Sequence, residues 1–90
     1  MPLLHIEPEE LRYNAYRLTH MAEEIEWAVE RLQRANQNLE VGWVANGRFQ
    51  FQTELEHRIQ TLQHLAHQIR EQSMQLQREV AKWEAVSNIF

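Results

Sequence analysis

The chain has no cysteine among its 90 residues. That excludes a disulfide framework, a thiolate metal site and a cysteine nucleophile. Proline and glycine occur twice each, Pro2 and Pro8 near the start, Gly42 and Gly47 at the midpoint. The long stretches between them hold no strong helix breaker. No apolar run approaches the ~20 residues that cross a bilayer, so no membrane span is expected. The opening residues Met1 to Pro8 lack the basic region and apolar core of a cleaved signal. Neither sign of charge dominates: 9 basic and 13 acidic side chains are interspersed, for a net charge of -4. A nucleic-acid surface would show a basic face, so no nucleic-acid partner is expected. There is no glycine-rich phosphate loop and no Ser/His/Asp order of a catalytic triad, so neither an enzyme nor a cofactor is expected.

What the chain does have is apolar residues every seven positions. One series is Leu4, Leu11, Leu18, Ile25, Leu32 and Leu39; another is Leu55, Leu62, Ile69, Leu76 and Trp83. A repeat of seven makes one stripe along a helix. The two stripes are mirrored about Trp43, pairing Leu32 with Leu55, Ile25 with Leu62, Leu18 with Ile69 and Leu11 with Leu76. The expected fold is therefore all-α, an antiparallel helical hairpin in a single domain. The first helix is expected over about 8–41, the turn over 42–45 and the second helix over about 46–86. Pro8 suits the first turn of a helix, and Glu9 and Glu10 lie near its positive end.

The expected hairpin core is Leu11, Leu18, Ile25, Leu32, Leu55, Leu62, Ile69 and Leu76. Ala15, Ala22 and Val29 flank the first stripe on one side, and Met21, Ala28 and Ala35 on the other. Small neighbours let helices approach closely. On the second helix, Ile59, Ala66, Val80, Leu65 and Val86 flank the stripe, interrupted by Arg58, Gln72, Ser73 and Glu79. A lone hairpin shields one side of each helix, and pairing into a four-helix bundle is the usual remedy. Tyr13, Tyr16, His20 and Trp27 lie opposite the first stripe and form a candidate partner surface, because aromatics are enriched at interfaces.

By the mirror pairing His20 lies level with His67, and His64 is three residues before His67. These and His57, one heptad before His64, all point off the stripes, so no metal site is expected. Glu54 and His57 have the spacing of a di-iron ligand pair, but a di-iron bundle needs that motif on paired helices.

The segment around the break carries a resemblance. Trp43 and Phe51 are eight residues apart, and the first helix opens on Ile6-Glu7-Pro8-Glu9-Glu10-Leu11. This resembles the WXG100 family of small helical-hairpin proteins, substrates of type VII secretion. That family has Trp, any residue, then Gly in the turn, with a Phe eight residues after the Trp. The turn motif here would be Trp43, Ala45, Gly47 and Phe51, with Ala45 standing where the family has Gly. Glycine permits a positive φ that alanine tolerates poorly, and Gly42 or Gly47 can supply that freedom instead. The family's export signal is an aromatic followed four residues later by an acid; Trp83 is followed by Ser87.

The resemblance implies a non-enzymatic protein that acts through dimerisation and recognition. Its expected partners are itself or a paralogous hairpin protein, and the ATPase of the secretion machinery. It would be secreted without a cleaved signal peptide, or cytoplasmic before export. The alternative reading is an intracellular helical-hairpin adaptor or coiled-coil subunit unrelated to secretion.

Overall fold

The computed structural model describes residues 7–42 and 47–89. They form two helices, α1 over Pro8–Gly42 (35 residues) and α2 over Arg48–Ile89 (42 residues), packed side by side as an all-α hairpin. The molecule is a rod of 69 × 22 × 15 Å. That length follows from the ~1.5 Å rise per residue of an α-helix.

The helix ends have local causes. Pro8 occupies the first position of α1, where a missing N–H costs little. The Leu11 N–H donates to the Glu7 carbonyl at 3.2 Å, and Glu9 and Glu10 sit in the first turn. Gly47 has φ +96°, the left-handed region that favours glycine, and its carbonyl accepts the first backbone bond of α2 from Phe51 N at 2.9 Å. Helix geometry cannot pass through that φ, so α2 starts at Arg48, two residues later than the spacing predicts. Trp43 and Ala45 lie outside the described residues.

The two helices meet along small side chains. Ala15, Ala22 and Val29 of α1 are buried, as are Ile59, Ala66, Ser73 and Val80 of α2. The stripe residues Leu11, Leu18, Ile25, Leu32, Leu55, Leu62, Ile69 and Leu76 are each half-buried. The centre of the packing is therefore the row beside the stripe. Alanine, valine and serine allow close approach of the two axes. The Leu and Ile side chains of the two stripes lean out along one edge, while Ile59 is the one long side chain among the buried seam residues named here.

Cross-helix hydrogen bonds set the register. The Ser73 hydroxyl donates to the Ala15 carbonyl at 2.8 Å, and the Gln52 amide donates to the Asn36 carbonyl at 3.3 Å. These contacts place Ala15 level with Ser73, and Asn36 level with Gln52. That register is one residue from the mirror pairing of the stripes.

Candidate interaction surfaces

The two long edges of the hairpin differ in chemistry. One edge is polar and bridged. Glu26 takes a two-pronged bond from Arg70, at 2.8 Å from Nε and 2.6 Å from Nη2. Arg12 pairs with Glu84. Between these bridges the Thr19 and Ser73 hydroxyls are 2.7 Å apart, and Gln77 Nε2 donates to Ser73 at 3.2 Å. The single Ser73 proton goes to the Ala15 carbonyl, so Thr19 is the donor in its bond to Ser73. The Arg70 hydrogen bonds hold the Glu26 carboxyl below the ordinary carboxylate range, against a smaller opposing push from burial. Arg70 is raised by the same hydrogen bond.

Arg12, Thr19 and Glu26 each follow a stripe residue of α1 by one, and Arg70, Gln77 and Glu84 do the same on α2. Going round each helix, the order is stripe, buried row, polar row. Because the polar rows meet at one edge, both leucine stripes share the other. That second edge also carries Met21 and Leu65, 47% and 42% exposed, together with exposed Phe51, Trp83 and Val86. It is a largely apolar face along the rod, interrupted on α2 by Arg58, Gln72 and Glu79 in the same row as Leu65.

The aromatic residues of α1 lie on the back of that helix. Tyr13, Tyr16 and Trp27 are exposed. The structure brings Tyr16 and His20 together as parallel rings, 6.2 Å between centroids and 1° between planes. Arg17 lies over the Tyr13 ring at 5.9 Å. His20 Nε2 is 3.2 Å from Glu24, and Nδ1 is 4.0 Å from Glu23. Trp27 continues the row one heptad beyond His20. Tyr16 also borders a shallow groove at the polar edge, between Arg12, Ala15 and Thr19 of α1 and Gln77 and Val80 of α2.

At the turn end, Gly47, Phe49, Phe51 and Glu54 line a shallow apolar depression. Among the described residues, no three His, Asp or Glu side chains gather where they could hold a metal ion. His67 instead lies 3.0 Å from Glu71. No helix among the described residues is long and apolar enough to cross a membrane.

By spacing alone Ser73 interrupts the second apolar row, and nothing in the heptads marks the bridged polar edge. Ser73 falls in the heptad series of Ile59, Ala66 and Val80, and that periodicity is the signal that could have placed it in the interface. No known protein family, curated protein or solved structure matches the chain.

Proposed function

We propose that the chain is a non-enzymatic hairpin protein of the WXG100 kind, exported by or associated with a type VII secretion system. The observation that carries this reading is the pairing of one motif with one fold. Trp43 and Phe51 stand eight residues apart across the turn region of a two-helix hairpin, with Phe51 in the first turn of α2. The Ile6 to Leu11 segment at the start of α1 supports the same reading. Ala45 departs from the motif, and Gly47 carries the positive φ in this turn region.

On this reading the protein works by presenting surfaces. Pairing with itself or a paralogous hairpin protein gives a four-helix bundle, and the secretion ATPase reads the assembled form. The aromatic row Tyr13, Tyr16, His20 and Trp27 stays available for recognition. The chain is cytoplasmic before export and leaves without a cleaved signal peptide. Trp83 and Ser87 do not complete the export signal, so a co-exported partner supplies it. The test is a secretion assay with and without a neighbouring small hairpin gene. Export that depends on the neighbour supports the reading. Retention in the cell under both conditions, with the fold intact, favours the intracellular adaptor.

A further inference from the structure

We propose that the bridged polar edge carries a binding site for an arginine side chain of a partner protein, in a groove between Gln33 of α1 and Gln63 of α2. The site lies on the edge away from the leucine stripes and does not rest on the export reading. Three observations lead to it.

The first is a gap in the bridges. From the free ends of the helices toward the turn, the polar edge is closed by Arg12 with Glu84, by Thr19 and Gln77 on Ser73, and by Glu26 with Arg70. One heptad further, Gln33 follows Glu26 and Gln63 precedes Arg70. Neither glutamine makes a side-chain hydrogen bond among the described residues. Instead the two line an open groove of about 590 Å³. That volume falls within the ~300–1,000 Å³ of ordinary ligand pockets.

The second is an acceptor without a donor. Asn36 lines the same groove, and its side-chain oxygen is buried with no hydrogen bond. The last torsion of asparagine is soft, so rotation about it turns that oxygen toward a donor in the groove. The Gln33 and Gln63 amides can each present a carbonyl oxygen beside it. Buried Ile59 supplies an apolar part of the lining, against which the aliphatic stem of a long cationic side chain packs well.

The third is charge. A second groove adjoins the first and shares Gln33 and Gln63 with it. Three carboxylates line the two grooves, Glu26, Glu30 and Glu56, and no lysine, arginine or histidine does. Arg70 already satisfies Glu26. Arg34 reaches Glu30 only at 3.8 Å, and Glu56 has no ion-pair partner among the described residues. The groove thus offers acceptors and negative charge, and its occupant must bring donors and positive charge. A guanidinium has five N–H donors in a planar fork and no acceptor, which matches carboxylates and amide oxygens spread around a groove. The compact ammonium of lysine suits a single carboxylate better. Arginine is also enriched at protein interfaces, and an open groove admits the side chain of a chain laid across it.

The test titrates N-acetyl-arginine amide into the isotope-labelled chain and follows the side-chain amide signals of Gln33, Asn36 and Gln63 by NMR. Shifts at these three should saturate together. Glu56→Gln should weaken binding about threefold, the worth of one exposed charge pair. Glu79→Gln removes the same charge on the leucine edge and should leave binding unchanged. Asn36→Leu should weaken binding about tenfold, the worth of one hydrogen bond to a charged group, although the folded chain is then more stable; an asparagine with a purely structural role would not show that split. The citrulline analogue, close in shape and uncharged, should not bind. Adding a capped glycine on each side of the arginine should tighten binding, because a chain across the groove makes further contacts. No saturable shift at the three signals, or equal binding of the citrulline analogue, would overturn the site. Equal binding of N-acetyl-lysine amide would overturn the choice of arginine, and no gain from the longer peptide would overturn the protein partner.

Discussion

The hydroxyl of Ser73 donates to the main-chain carbonyl of Ala15, 2.8 Å away and 58 residues distant in sequence. Ser73 is 1% exposed, yet its oxygen is fully engaged, because it also accepts from Thr19 and Gln77. A buried hydroxyl without partners is costly, whereas one with all its bonds made fixes a register. This bond pins the far half of the hairpin, just as Gln52 and Asn36 pin the half near the turn.

Ser73→Ala should therefore destabilise the hairpin by about 1 kcal/mol, the typical cost of one such hydrogen bond. The shape of the row hardly changes, because Ala66 already sits one heptad before it. Chemical denaturation with an unchanged slope checks this. A stabilised variant would show that the polar layer only weakens an otherwise apolar seam.

Asn36 presents the opposite situation. Its side-chain oxygen is buried without a hydrogen bond. Asn36→Leu removes that orphan and improves helix propensity. The expected result is a gain of about 1 kcal/mol, or a rise in melting temperature of roughly 4–8 °C for a domain of this size.

The small residues of the seam and the leucines beside it should respond differently to substitution. Ala22→Leu inserts bulk at a fully buried position of the seam, and should cost about 1–3 kcal/mol. Leu18→Ala and Ile25→Ala remove half-buried side chains. Their cost should reach about 2–5 kcal/mol only where a partner covers the leucine face, and it should then depend on protein concentration. Thermal melts at two concentrations separate the two cases.

The Glu26–Arg70 bridge predicts an acid-side effect. The Glu26 carboxyl is held below its ordinary value in the folded chain. Its contribution is therefore complete above the unfolded carboxylate range, and is lost as pH falls through the lowered folded value. The effect is small because both side chains are well exposed to solvent. Glu26→Gln should lower stability near neutral pH and flatten its decline below about pH 4. A parallel decline in both proteins would remove the bridge from the account.

Much of the hairpin was legible in the heptads, because two mirrored stripes admit few other folds. The centre of the interface was harder to read. Hydrophobicity ranks Leu18 and Ile25 above Ala15 and Ala22, but close packing selects for size, so the smaller row takes the middle. Ser73, Thr19 and Gln77 look like interruptions in sequence, since nothing local reveals that Ala15 stands opposite. The turn was half legible. Gly47 marks the start of α2 through its positive φ, a conformation that spacing alone does not assign between Gly42 and Gly47. The aromatic row was placed on the back of α1 by phase, while the stacking of Tyr16 on His20 comes from the structure.

The functional claim turns on Trp43, and its most direct test is export of a folded Trp43→Ala variant through a type VII system. Circular dichroism and thermal melting should show an intact hairpin with a modest loss, below the ~3–5 kcal/mol of a fully buried tryptophan. The account predicts that export with the co-expressed partner falls sharply in this variant while the hairpin stays folded. Unchanged export of folded Trp43→Ala would contradict it.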